Sequence, residues 1–351
     1  MSRFAARIER WHRRHGRHDL PWQGTRDPYR VWLSEVMLQQ TQVATVRGYY
    51  LRFIERFPDV QALAAAAPDE VFALWSGLGY YRRASLLQRA AQVVAGELGG
   101  RFPTSAAGLQ ALPGVGRSTA AAIAAFCFDE RAAILDGNVR RVLARTHGIA
   151  EDLGCAAAQA RLWTLAESLL PARGIASYTQ GLMDLGATVC LPRAPRCDAC
   201  PLSTQCVARA CGDPLAYPAR PRRARRSARS SCWLWLQAGA SVWLVPRPSA
   251  GIWAGLWSLP EFDSPEAVRS ALPRLRGEPR HGAAFVHVLT HLDWTLQPLY
   301  WTLAGRARHA LQDELAALWP GGRWVALKDA PALGLPAPLR RLLAEAGRDA
   351  T

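Results

Sequence analysis

The sequence predicts two domains: a mainly α domain over residues 1–211 and a smaller α+β domain over residues 232–351, joined by a basic linker at 212–231. Three observations carry this. Apolar residues recur at three- and four-residue spacing from about Phe4 to Ala210, the texture changes to proline and arginine after Cys211, and apolar runs of strand length begin at Cys232. At 351 residues the chain also exceeds the size that one hydrophobic core usually serves.

In order along the chain, helical spacing marks Pro28–Tyr49, Asp69–Leu74, Ala84–Leu98, Ser118–Phe126, Asn138–Arg145 and Ala156–Leu169. Pro58, Pro68, Pro103, Pro113–Gly116 and Pro171 separate them, as helix boundaries do. The linker holds Pro214, Pro218 and Pro221 with Arg220, Arg222, Arg223, Arg225, Arg226 and Arg229, and reads equally as a solvated spacer or a strap that tracks a polyanion. Trp233–Gln237 and Val242–Pro246 flank a glycine-containing turn and predict a hairpin; Val286–Leu299 and Arg323–Leu327 read as further strands, with helices near Glu266–Leu272 and His309–Leu318.

The balance of 43 basic against 28 acidic residues gives a formal charge of +15, which points to nucleic acid or an anionic membrane surface. Lys328 is the single lysine, so arginine carries nearly all of the positive charge. Charge interrupts Met1–Leu20 throughout, which excludes a signal-peptide core there, and the apolar stretches Ala62–Ala67 and Ala120–Phe128 are too short to span a bilayer. The expectation is a soluble cytoplasmic protein without membrane association. Eight cysteines in a reducing compartment then point to metal ligands or buried thiols rather than disulfides.

Cys190, Cys197, Cys200 and Cys206 place four thiols within 17 residues, a spacing that suits a compact soft-metal centre. Zinc sites more often pair two short Cys-x2-Cys knuckles, and only one occurs here, so an iron–sulfur cluster is favoured. Cys211 lies close enough to compete as fourth ligand. Leu112-Pro113-Gly114-Val115-Gly116 precedes Arg117-Ser118-Thr119 and an alanine-rich helix; two glycines around one apolar residue permit a tight turn whose backbone N–H groups suit a phosphate oxygen. Twenty residues beyond Gly116, Asp136 sits between Ile134–Leu135 and a new helix, as an N-cap or as a carboxylate facing a developing cation. Glu35 is a carboxylate inside a largely apolar helix, where apolar neighbours raise its pKa towards that of a neutral-pH proton donor.

Leu20-Pro21-Trp22, Trp32–Val43 with its Ser34-Glu35 and Leu38-Gln39-Gln40, Gly77-Leu78-Gly79-Tyr80-Tyr81, the glycine hairpin, Leu135–Val139 and the cysteine loop occur in one order. Together they resemble the helix–hairpin–helix DNA glycosylases and, within them, the adenine DNA glycosylases. The likeness covers about residues 4–210 and extends through Gly251–Trp257 and Leu259–Phe262. It implies a helix–hairpin–helix glycosylase domain with one [4Fe-4S] cluster on the four cysteines, followed by a Nudix-like domain. It also implies a base-excision repair hydrolase, acting as a monomer at the nucleoid on duplex DNA in which adenine is mispaired with 8-oxoguanine or guanine, and preventing G:C to T:A mutations.

Carried over by residue, the resemblance makes Glu35 the acid that protonates the extruded adenine at N7. Asp136 becomes the carboxylate that stabilises the oxocarbenium-like sugar, a division of labour parallel to glycoside hydrolysis, and Asn138 orients it. Leu20, Trp22 and Gln180 match the adenine pocket, while Gln40 and Tyr80 fall where the family inserts side chains into the duplex. Gly114, Val115 and Gly116 match the DNA-binding hairpin. Where lyase-active relatives similar to endonuclease III carry a lysine, this chain has Ser118, and residues 1–327 contain no lysine to form an imine. A monofunctional glycosylase is the expectation, with Ser118 hydrogen-bonding the catalytic acid or simply starting its helix.

The C-terminal domain resembles the module that reads the oxidised guanine. It lacks the clustered glutamates of a Nudix pyrophosphatase, so recognition without hydrolysis is expected. Leu289, Thr290 and His291 align with a loop that in the family usually reads Phe-Ser-His, a departure in which Thr290 preserves the hydroxyl. Two other readings use part of these features: an oxidised-pyrimidine glycosylase with lyase activity, opposed by Ser118, and a non-catalytic DNA-binding metalloprotein, which leaves Glu35 and Asp136 idle.

Overall fold

The computed structural model describes residues 3–219, 226–304 and 307–348. Arg220, Arg222, Arg223 and Arg225 of the basic linker lie outside the described residues. The chain divides into two compact units, one of residues 1–65 and 86–222, the other of 66–85 and 223–351. The second unit thus takes in an excursion from the helical half.

The helices in chain order are α1 (Arg3–His15), α2 (Pro28–Leu38), α3 (Val43–Arg56), α4 (Val60–Ala65), α5 (Pro68–Trp75), α6 (Arg82–Gly96), α7 (Ala106–Gln110), α8 (Arg117–Phe128), α9 (Gly137–His147), α10 (Ala156–Ser168), α11 (Ile175–Thr188) and α12 (Val207–Ala210). All but α5 and the first turn of α6 belong to the first unit. The helical spacing expected over Pro28–Tyr49 is broken after Leu38, because Gln40 takes a left-handed backbone (φ 57°) that a helix cannot continue through.

The first unit's core joins Ile8 of α1, Ala122 of α8, Val139 and Leu143 of α9, Leu162 of α10 and Leu182 and Leu185 of α11. Small residues set how closely these helices approach. A Cβ at Gly181 would stand 2.8 Å from Ile8 Cγ2, and one at Gly186 would stand 2.5 Å from Asn138 Cβ. These contacts press α11 against α1 on one side and against the start of α9 on the other, and the candidate site is built there.

The second unit holds α5 with a mixed sheet of β1 (Ser227–Ala238), β2 (Ser241–Pro246), β3 (Trp257–Ser258), β4 (Glu261–Phe262), β5 (Arg280–His281), β6 (Phe285–Val288), β7 (Leu292–Leu303) and β8 (Arg323–Ala326). Its helices are α13 (Pro265–Ala271), α14 (Ala307–Leu318) and α15 (Ala337–Arg348). The longest path runs β3-β2-β1-β7-β5, with β4 on β1, β6 on β7 and β8 on β2. The expected hairpin forms around Gly239, pairing Ala238 with Ser241. β1 runs parallel to β7 along all twelve residues and is buried from Ser231 to Leu236, the continuous apolar run of a strand covered on both faces.

Two expectations change here. β1 begins inside the stretch read as linker, so Arg229 is a strand residue bonded to Glu261 at 2.5 Å rather than part of a spacer. Val286–Leu299 is not one strand but the hairpin β6–β7, turned at Leu289–His291 where Leu289 N–H bonds to Leu292 O at 2.8 Å.

Candidate active site

Asp27 caps α2 by accepting the Tyr29 N–H at 2.9 Å, and Pro28 fixes the first helical φ. The helix buries Val31, Trp32, Leu33, Val36 and Met37, so Glu35 is carried into apolar surroundings by the packing of its neighbours. Glu35 as a residue is half-buried and lines a cavity of about 530 Å³ that Trp22, Phe126 and Gln180 also border. Among the described residues it makes no hydrogen bond. Burial, followed by the nearby negative charge of Asp136, pushes its pKa up to about 8.

Asp136 is the N-cap of α9. Its Oδ1 accepts the Val139 N–H at 2.7 Å and its Oδ2 accepts the Asn138 amide at 3.2 Å. Burial raises its pKa above the ordinary 3.8, opposed by those two donors and by the positive charge of Arg141. The environments therefore differ: among the described residues Glu35 has no hydrogen-bond donor for its anion, whereas Asp136 has two N–H donors and a helix N-terminus. The Ser118 hydroxyl accepts the Leu135 N–H at 3.0 Å, tying the hairpin helix to the loop that delivers Asp136; no bond from it to Glu35 occurs among the described residues.

Of the three expected pocket residues, Trp22 and Gln180 border the cavity, while Leu20 is buried nearby without lining it. The sequence reading missed Arg17 and Asp184. Asp184 is fully buried on α11, ion-paired to Arg17 at 2.6 Å and bonded to the Gln180 amide at 2.9 Å. A signal was available: a carboxylate at i+4 from Gln180, amid Leu182, Met183 and Leu185, lies on a buried helix face and requires a partner.

In the hairpin, α7 and α8 flank Gly114, Val115 and Gly116; Val115 is buried and Gly116 is the N-cap of α8. Gly114 has φ 75°, and a Cβ on it would stand 2.7 Å from Leu86 Cβ. Gly114→Ala is expected to lower stability by about 1–3 kcal/mol, read as a fall in Tm, because it adds a strained φ and a clash together. Gln40 and Tyr80, the expected wedges, are exposed and both carry left-handed backbones, at φ 57° and 48°. Strain of that kind in a non-glycine residue clusters where function imposes it.

All four sulfur-bearing residues of the predicted cluster loop border one small cavity together with Arg145 and Leu202, whereas Cys211 does not. Arg145 is 3% exposed and reaches Cys190 Sγ at 3.4 Å and the Leu191 carbonyl at 2.7 Å. Among the described residues no three ligand side chains converge on a point suited to a single ion. The donor set is four thiols about one void beside a buried cation, which fits an anionic thiolate-bound cluster. Arg141 extends from this loop to the carboxylate site: it bonds the Cys190 carbonyl at 2.7 Å and Asn138 Oδ1 at 2.9 Å, and Asn138 in turn bonds Asp136.

Within the second unit, Thr290 and His291 are exposed at the β6–β7 turn, with Leu289 partly covered. Thr290 Oγ1 lies 3.5 Å from the Tyr80 hydroxyl. The turn carrying Tyr80 is held from below: Leu335 O accepts from Ser76 Oγ at 2.9 Å and from Tyr81 OH at 3.0 Å, and Arg83 donates to the carbonyls of Leu78 and Gly79 at 3.2 Å each.

Residues 33–168 match the family model of the HhH-GPD superfamily base excision DNA repair protein, and residues 232–345 match that of the NUDIX domain. The chain is 32% identical over 344 residues to an adenine DNA glycosylase of Buchnera aphidicola subsp. Schizaphis graminum, covering 97% of both chains. It is 35% identical to the adenine DNA glycosylase of Homo sapiens, over 93% of this chain and 70% of that one. Among solved structures, a thermostable thymine-DNA glycosylase aligns with 58% of this chain and 94% of its own at 32% identity and a TM-score of 0.53.

Proposed function

The chain belongs to the adenine DNA glycosylases of base excision repair, and from that premise we propose that it is a monofunctional enzyme that releases adenine opposite 8-oxoguanine or guanine in duplex DNA. The observation that carries the chemistry is Glu35: a carboxyl whose pKa is pushed up to about 8, on the wall of a cavity large enough for a purine, with Asp136 as its charged neighbour. Protonated Glu35 delivers its proton to N7 of the extruded adenine. The N9–C1′ bond then breaks with its electron pair moving into the base, Asp136 stabilises the cationic sugar, and water adds at C1′ to leave an abasic site. Asn138 keeps Asp136 oriented, and Trp22 and Gln180 border the base, with Leu20 buried nearby rather than against it.

In the hairpin, Gly114 and Gly116 offer backbone N–H groups to a phosphate while the Val115 N–H closes the turn on Leu112 O at 3.1 Å, and Gln40 and Tyr80 enter the stack that the adenine leaves. Leu289, Thr290 and His291 meet the opposite base; the 3.5 Å approach of Thr290 to Tyr80 supports a wedge and a reader that act on the same base pair. No lysine occurs in residues 1–327, and Ser118 supplies a hydroxyl where an imine-forming amine would be needed, so strand cleavage is not part of the reaction. The enzyme acts as a monomer, since one chain supplies both the catalytic cavity and the reading turn.

Cys190, Cys197, Cys200 and Cys206 would hold one [4Fe-4S] cluster. When bound it supplies a rigid, charged anchor for the loop 190–206 with its exposed arginines. Cys206→Ser is expected to cost the protein its iron and its visible absorbance, whereas Cys211→Ser keeps both; elemental analysis and the absorption spectrum read the difference. The function itself is tested by single-turnover reaction with a duplex carrying adenine opposite 8-oxoguanine, with and without alkali. Breaks that appear only after alkali are expected. Breaks without alkali would remove the monofunctional reading, and no abasic site despite tight binding would leave a DNA-binding protein without this chemistry.

A further inference from the structure

Asp184 stands one helical turn beyond Gln180 on α11 and has no exposed surface. Its Oδ1 accepts from Arg17 Nε at 2.8 Å, from Arg17 Nη2 at 2.6 Å and from Gln180 Nε2 at 2.9 Å. Its Oδ2 accepts the Arg17 backbone N–H at 2.8 Å, and His12 Nε2 lies 3.9 Å away. A carboxylate in an ion pair has only acceptor sites, so the NH₂ end of the Gln180 amide is the end that suits it. Turning the amide over would set its oxygen against a buried anion, at the cost of an unsatisfied pair. The amide is therefore locked, with Oε1 directed away from Asp184 and without a protein partner among the described residues, on a side chain that borders the Glu35 cavity.

We propose that Asp184 is a specificity-determining positioning residue: by locking Gln180 it presents an acceptor to the base and selects a purine with an amino group at C6 over one with a carbonyl there. The inference rests on reading the cavity as the adenine pocket. The 6-amino group of adenine donates to Oε1, whereas the 6-carbonyl of hypoxanthine or guanine sets one acceptor against another. Sites built around one hydrogen bond reject the wrong partner strongly, because a buried polar group is left unpaired.

The experiment uses the full chain and duplexes that differ only in adenine or hypoxanthine opposite 8-oxoguanine, and compares single-turnover rates as a ratio. Asp184→Asn, whose own amide can accept as well as donate, frees Gln180 to turn; the adenine-to-hypoxanthine ratio is expected to fall by about tenfold or more. Equal loss on both bases overturns the proposal, since a merely structural residue moves both rates together. Gln180→Glu keeps the test open should Asp184→Asn fail to fold. A carboxyl there presents only acceptor oxygens outward once its proton is shared with Asp184. A locked wild-type amide predicts a ratio within about threefold of wild type, and a tenfold rise would mean that the amide turns freely and overturn the assignment. Wild-type protein that releases neither base overturns both this inference and the glycosylase reading beneath it.

Discussion

Glu35→Gln is expected to lower single-turnover adenine release by about 10²–10⁴-fold, the usual worth of a positioned general acid, with duplex binding retained. The amide matches the neutral carboxyl in shape and polarity, so the substitution removes the transferable proton and little else. The pH dependence follows from the same group. Its pKa is raised from the ordinary 4.5 to about 8, so the acid form is filled at neutral pH and is lost as the pH rises through about 8. The rate should fall on the alkaline side of that value. Stability runs in the same direction: between about 4.5 and about 8 the folded chain holds a proton that the unfolded chain releases, so folding weakens as pH rises through that window. Glu35→Gln removes this part of the slope. A variant with wild-type rates and an unchanged alkaline limb would sink the assignment.

Asp136→Asn is expected to cost about 10²–10³-fold in the same assay, the range found when one preorganised group is withdrawn from a developing charge. Asparagine caps helices about as well as aspartate, so α9 should keep its start and the Tm should change little. That separation is the useful part of the experiment. A large fall in Tm with a proportionate loss of activity would return Asp136 to the role of a cap. A large fall in rate at constant Tm assigns it to the sugar cation.

The carboxylates and the cysteine loop were legible in the sequence because their residue types are costly where they stand. Glu35 interrupts an apolar helix and four thiols crowd into one loop, and neither needs a fold to be noticed. The cavity between α1, α2 and α11 was not legible, since Arg17 and Asp184 are 167 residues apart and their pairing is a property of packing at Gly181. The turn at Leu289–His291 was hidden for another reason. Val286, Val288, Leu292 and Trp294 are all of strand type, and no glycine or proline within Leu289-Thr290-His291 marks the reversal. The start of β1 is hidden likewise, because Ser227–Ser230 are small or polar and exposed, and the buried run begins only at Ser231. The claim of Cys211 to be the fourth ligand, left open by spacing, is addressed by which thiols border the void.

The grip on the Tyr80 turn has a consequence for the order of synthesis. Ser76 and Tyr81 are made early, but the carbonyl that receives both hydroxyls belongs to Leu335, 254 residues after Tyr81. At translation rates of about 5–20 residues per second, roughly 13–50 s separate the two. Throughout that interval the nascent chain carries α5 and its following turn without the partners that complete them. The segment that seats the Tyr80 turn is thus made long after the turn itself, and a chain ended before Leu335 would hold its Glu35 carboxyl while that turn stayed unfastened.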